Sequence, residues 1–145
     1  MTRLHLHISV DDLDQSIRFY QTLFGAAPTL VEPDYAKWSL DDPSVNFAIS
    51  ALGCGKAGIE HVGIETGNRT ELDTITARLH AAEEGTFQEE ATTCCYAVSD
   101  KTWVEDPSGV RWETFHTTEK ATEYGVDASL GAEIKPTPPR HSGCC

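Results

Sequence analysis

His5-Leu6-His7-Ile8-Ser9-Val10 and His61-Val62-Gly63-Ile64-Glu65-Thr66 are two runs of alternating character, each opening on histidine and each preceding a helical pattern. They recur at a spacing of 56 residues in a chain of 145. A repeat of this length marks a supersecondary unit used twice, so it decides the fold before any single element does. After the first run, Asp11 or Asp12 can cap a helix whose one face carries Leu13, Ile17, Tyr20 and Phe24, and Gly25 stops it. After the second, Leu72, Ile75 and Leu79 predict another amphipathic helix, ended by Gly85. Short strand candidates follow each helix, at 36–40 and 46–51 in the first half and at 87–90, 102–105 and 110–115 in the second. The turns repeat as well: Asp42-Pro43-Ser44 leads into Val45-Asn46-Phe47-Ala48, and Asp106-Pro107-Ser108-Gly109 leads into Val110-Arg111-Trp112-Glu113. The reading is an α+β chain, a single domain over 1–145 made of paired βαβββ modules. Module one spans 1–52, a linker 53–58, module two 59–116, and a flexible Cys-ended tail 117–145. Two routes to the finished fold stay open, closure within one chain and exchange of modules across a homodimer.

Eleven Lys and Arg against twenty-three Asp and Glu give a formal charge of −12, which opposes binding to phosphate backbones or anionic membranes. Nucleic acid is not expected as a partner. No stretch reaches the roughly 18 apolar residues of a membrane span, and the chain enters a strand pattern without a signal-type hydrophobic region, so the expected location is the cytoplasm. The five cysteines include the adjacent pairs Cys94–Cys95 and Cys144–Cys145. Neighbouring cysteines bridge one another only with strain, so these read as reduced thiols suited to soft metals or metalloids, not as a disulfide framework.

His5 and His61 occupy equivalent positions of the repeat, and a pseudo-twofold pairing of the modules aims both imidazoles at one point. Alternation on the last strand places Glu113 and Phe115 on the face opposite Trp112 and Thr114. A carboxylate on an interior face needs a partner, and a divalent metal is the partner expected here. Matching the two turns sets Ala48 opposite Glu113, so the fourth ligand of a symmetric site is absent. Two histidines and one carboxylate with open positions form the facial-triad donor set suited to non-haem Fe(II), with sites left for substrate and O₂. His7, whose repeat partner is Gly63, is expected beside the site. His80 is expected to make a favourable contact with its helix C-terminus, and His116 and His141 to be solvated.

Cys94 and Cys95, between two strand candidates, are expected on a loop beside the sheet that carries Glu113. Vicinal thiolates capture a soft centre such as trivalent arsenic in a bidentate manner. Cys144 and Cys145 could repeat that chemistry or belong to a dispensable tail, and Cys54 reads as a linker residue. Tyr35, Trp38, Tyr96 and Phe115 could line a pocket or belong to the core.

His5 with Val10-Asp11-Asp12-Leu13, the Ser16-Ile17-Arg18-Phe19-Tyr20 helix, His61, and Asp106-Pro107-Ser108-Gly109 leading to Glu113-Thr114-Phe115 together resemble the vicinal oxygen chelate superfamily of glyoxalases, bleomycin resistance proteins and extradiol dioxygenases. The segment Thr93-Cys94-Cys95-Tyr96-Ala97-Val98, followed by Asp100-Lys101 and Trp103-Val104, is similar to organoarsenical carbon–arsenic lyases and related cadmium-inducible proteins. The resemblance implies an open barrel around one metal and an Fe(II)- and O₂-dependent enzyme of arsenical detoxification. Such an enzyme splits the C–As bond of trivalent methyl or aromatic arsenicals and releases arsenite. By position, His5, His61 and Glu113 would hold the metal, for which other divalent ions can substitute in a purified sample, and Cys94 and Cys95 would hold arsenic. The first ligand is Gln in some members and His here. Two rival readings accompany it: a thiol-based cadmium or arsenical binder without turnover, and another metal-dependent enzyme of the same fold.

Overall fold

Alternation in the first His-bearing strand separates an apolar face from a polar one. The computed structural model describes residues 1–51 and 56–125, so Cys54, His141, Cys144 and Cys145 lie outside the described residues. The chain divides into two compact units, Thr2–Val62 and Gly63 onward together with Met1. In the first, β1 (Arg3–Ser9) is followed by α1 (Leu13–Phe24), β2 (Leu30–Glu32), β3 (Tyr35–Asp41), β4 (Ser44–Ser50) and the start of β5 (Gly58–Glu65). The strand order is β2-β3-β4-β1-β5, with β1 parallel to β4 and the β2–β3 and β3–β4 pairs antiparallel.

Of the two aspartates that could cap α1, Asp12 does so: its backbone is extended and its carboxylate accepts from the Gln15 N–H at 2.8 Å. Gly25 ends the helix with φ 64°, a left-handed conformation that glycine adopts without steric cost. The expected face of α1 packs on the sheet, where Leu13, Ile17, Tyr20 and Phe24 meet Ala36, Trp38, Phe47 and Ile49, with Leu6 and Ile8 of β1 alongside. Trp38 is therefore core, and its indole N–H donates to the Ala26 carbonyl at 3.0 Å. The opposite face of the same strands is also buried, yet it carries His5, His7, Asn46 and Ser50. β2 escaped sequence reading because three residues are too few to show a period.

The second unit takes the remainder of β5, then α2 (Arg69–Ala81), β6 (Thr86–Cys94), β7 (Ala97–Glu105) and β8 (Arg111–Lys120), in the order β5-β8-β7-β6. Each repeat is thus β-α-β-β-β. Helix α2 ends at Ala81 and not at Gly85; Glu83 takes the left-handed turn at φ 59°, and the Glu84 N–H closes back on the Leu79 carbonyl at 3.0 Å. Its inward face includes Thr76, whose hydroxyl meets that of Thr102 at 2.8 Å, a polar contact that an apolar-periodicity search passes over. The turn before β8 forms as the repeat implies: the Asp106 carboxylate accepts from the Ser108 and Val110 N–H groups, and these donors, Val110 foremost, hold its carboxyl below the usual range. β8 continues to Lys120, five residues past the expected end at 115, so residues 117–120 pair with β7 instead of opening a tail.

Gly63 is the repeat partner of His7, and no side chain fits there because a Cβ would collide with the backbone carbonyl of Glu113. Gly63→Ala should lower unfolding free energy by roughly 1–3 kcal/mol, the range of overpacking, measured by urea denaturation; an unchanged midpoint would show that β8 can shift freely.

Candidate metal centre and thiol pair

His5 and His61 meet in the first unit as the repeat registration implies: their Nε2 atoms stand 3.1 Å apart and both side chains are buried. His5 Nδ1 lies 3.1 Å from the Asn46 carbonyl oxygen, which can only accept, so Nδ1 carries the proton and Nε2 presents its lone pair. Two imidazole nitrogens bonded to one divalent ion at about 2.1 Å and at a right angle stand about 3.0 Å apart, so the pair fits a shared metal. Asn46 Oδ1, on the same strand face, is buried and has no hydrogen-bond partner among the described residues. His7 lies beside them, with its ring edge-on to His61 at a centroid distance of 5.0 Å, its Nε2 2.9 Å from the Ser50 hydroxyl and its Nδ1 3.6 Å from Glu60. Ala48 sits across from His7 in the β1–β4 register, buried and without a donor. Tyr35 packs edge-on to His7 on this polar side.

Glu113 lies on β8 of the second unit, buried, directly across from Trp103 in the β7–β8 register. Its partner in the structure is a residue that sequence reasoning missed: Lys101 Nζ donates to Glu113 Oε1 at 2.6 Å, with both side chains 6% exposed. Lys101 is thus a partner of this carboxylate besides the metal that the sequence led one to expect. Fixing Oε1 on Lys101 orients the carboxylate. Strand parity was the available signal, since Lys101, Trp103, Glu113 and Phe115 share one face. Beside them the Trp103 indole donates to Glu89 Oε2 at 2.8 Å, and the Arg111 guanidinium lies 5.1 Å from the Trp103 ring.

The cysteine pair is not on a loop. Cys94 is the last residue of β6, Ala97 the first of β7, and Cys95–Tyr96 form a two-residue hairpin turn with φ 57° and 60°. That geometry is usually filled by Asn-Gly, and two larger residues in it cost roughly 1–2 kcal/mol each. Positive-φ strain of this kind persists where surrounding contacts impose it and gathers at functional positions. The two sulfurs are 3.0 Å apart, both reduced, with Cys94 buried and Cys95 half-buried. The hydrogen bond with Cys94 chiefly, and that with the Tyr124 hydroxyl besides, pull the Cys95 thiol below its usual range against the opposing effect of burial; Glu113 and Lys101 act on it with opposite signs. The thiol pair and Glu113 lie in the same unit.

His80, in the last turn of α2, meets the Thr86 hydroxyl at 3.0 Å. His116 is half-buried with Nδ1 3.3 Å from the Thr66 carbonyl, not solvated as expected. Phe115 is buried on the Lys101 face, and Tyr96 packs edge-on to Tyr124.

A family model described as the Glyoxalase/Bleomycin resistance protein/Dioxygenase superfamily matches residues 2–114. The chain is 34% identical, over its whole length and that of the relative, to a probable trivalent organoarsenical cleaving enzyme of Bacillus subtilis (strain 168). It is 40% identical to a trivalent organoarsenical cleaving enzyme of Bacillus sp. (strain MD1), over 81% of this chain and 74% of that protein. It is 35% identical to the cadmium-induced protein CadI of Mycobacterium bovis (strain ATCC BAA-935 / AF2122/97), over 86% and 82%. Among solved structures, the Mn(II)-bound glyoxalase of Novosphingobium aromaticivorans aligns with a TM-score of 0.58 at 18% identity, over 93% of this chain and 46% of that one, a likeness of fold.

Removing one member of a buried ion pair leaves an uncompensated charge. Lys101→Met should therefore destabilise the protein by about 3 kcal/mol, and adding Glu113→Gln should recover part of the loss; urea titration of both variants reads this, and additive losses would deny the coupling.

Proposed function

The chain belongs to the glyoxalase/bleomycin resistance protein/dioxygenase superfamily, and from that premise we propose that it cleaves the C–As bond of trivalent methyl or aromatic organoarsenicals, using Fe(II) and O₂ and releasing arsenite. The observation that carries this reading is the pair of reduced sulfurs, 3.0 Å apart at the β6–β7 turn, in the same unit as the buried Glu113. The names of relatives at 34% and 40% identity support arsenical cleavage.

In this reading His5, His61 and Glu113 would hold one divalent metal, a donor set of two imidazoles and one carboxylate that suits Fe(II). Such an ion, when bound, supplies open positions and the redox capacity that O₂ chemistry requires. The Asn46 carbonyl keeps His5 in the tautomer whose Nε2 can ligate, and Lys101 sets the orientation of the Glu113 carboxylate. Cys94 and Cys95 bind arsenic through two S–As bonds, each formed as an As–O bond breaks and a hydroxyl departs as water. Bidentate capture fixes the direction of the remaining As–C bond, and holding both partners in place converts an encounter into an oriented reaction.

The 35% relative named for induction by cadmium supports a second reading, sequestration of soft cations or arsenicals by the thiols without turnover. Oxygen separates the two. Protein loaded with Fe(II) under anaerobic conditions should release arsenite from phenylarsine oxide or a trivalent methylarsenical only after air is admitted; tight binding without release in air would sink the enzymatic reading. Replacing Cys94 and Cys95 by Ser should abolish release while bound Fe(II) stays at the wild-type level, whereas Glu113→Ala should lower both.

A further inference from the structure

The strained thiol turn is held by residues 121–125, which the sequence pattern had assigned to a tail. The Ala121 N–H donates to the Tyr96 carbonyl at 2.9 Å, and Gly125 forms a backbone bridge with Cys94. Gly125 adopts φ 76°, and a Cβ there would collide with the Thr93 carbonyl, so the segment lies flat against the hairpin. Between these anchors, Tyr124 rests edge-on against Tyr96 with a centroid distance of 5.8 Å and brings its hydroxyl to 3.5 Å from Cys95 Sγ. The two sulfurs are therefore unequal. Cys94 ends a strand and is 6% exposed, whereas Cys95 stands in the turn, half-buried, with a phenol beside it.

We infer that Tyr124 is a positioning residue that makes Cys95 the entry thiolate of the pair: the Cys95 thiol donates to the Tyr124 hydroxyl oxygen, and once that proton is lost the phenol O–H turns to the sulfur and orients it toward an incoming thiophilic centre, with Cys94 closing the chelate second. Cys95 as thiolate attacks trivalent arsenic. The S–As bond forms as one As–O bond breaks, and the departing hydroxide takes up the proton that Cys95 had lost. The Cys94 thiol then displaces the second hydroxyl, its proton leaving with that oxygen as water. No oxidant is consumed, and arsenic stays trivalent. The thiolate is the reactive form of cysteine, and a phenol beside the more exposed of the two sulfurs favours that sulfur as the first to attack. The identity of the ligand rests on the proposed function; the order of the two sulfurs does not.

The test uses the full chain and needs no arsenical. Time-resolved iodoacetamide labelling, read by mass spectrometry of the peptide that contains Cys94 and Cys95, should mark Cys95 first in the wild type. Tyr124→Phe, which removes only the hydroxyl, should raise the pH midpoint of Cys95 labelling by about half a unit and slow it roughly threefold at pH 7, while Cys144 and Cys145 serve as internal references. Tyr124→Leu should match Tyr124→Phe. Labelling of Cys94 first in the wild type, or an unchanged Cys95 profile in Tyr124→Phe, would overturn the assignment, and a loss confined to Tyr124→Leu would do so by showing that ring packing alone is at work. With phenylarsine oxide, Tyr124→Phe should slow association and leave dissociation near the wild-type rate, because both S–As bonds still form. Failure to release arsenite would refute the proposed function and leave the labelling order standing; arsenite release with a flat labelling profile would do the reverse.

Discussion

A polar group taken out of water must find a partner, and this chain buries polar side chains on sheet faces in both of its units, with a wholly apolar cluster, among the described residues, only in the first. On these polar faces lie imidazoles, carboxylates, an ammonium and thiols whose desolvation would each cost free energy if unmet. Partners are supplied within each unit: His5 to a backbone carbonyl, His7 to Ser50, Lys101 to Glu113, Trp103 to Glu89. That pairing explains why such a small protein tolerates so polar an interior.

The two repeats share a plan and differ in what they put on the polar face. The first supplies paired imidazoles and, where symmetry would ask for a carboxylate, the small Ala48. The second supplies Glu113, a lysine to hold it, and two sulfurs at the β6–β7 turn. At the position matching His7 it has Gly63, because the Glu113 carbonyl occupies the space a side chain would need. Divergence of this kind lets one scaffold carry hard donors, imidazole and carboxylate, and soft ones, thiols, at separate places. Membership in a superfamily that carries glyoxalases and dioxygenases accords with that division, since its chemistry lies in the residues grafted on the fold and not in the fold itself.

The thiol hairpin shows where local rules were overridden. A two-residue turn with both φ angles positive asks for Asn-Gly, and Cys-Tyr takes it instead. Sequence reading accordingly set the pair on a loop, because neither residue announces a turn. The hairpin is imposed by tertiary partners: antiparallel pairing on either side, and the Ala121 and Gly125 contacts that lie more than twenty residues further on.

The sequence by itself determined the paired modules, the registration of His5 with His61, the presence of Glu113 on an inward strand face and the proximity of two cysteines. All of these follow from spacing and alternation, which are local and survive translation into structure. Tertiary structure alone decided that Lys101 is the partner of Glu113, that Thr76 meets Thr102, that β8 runs on to Lys120, and that Tyr124 stands over Cys95. Each of these depends on which residues of separate strands face one another, and a register across strands is written in packing and hydrogen bonds between distant segments, not in the order of residues along one of them.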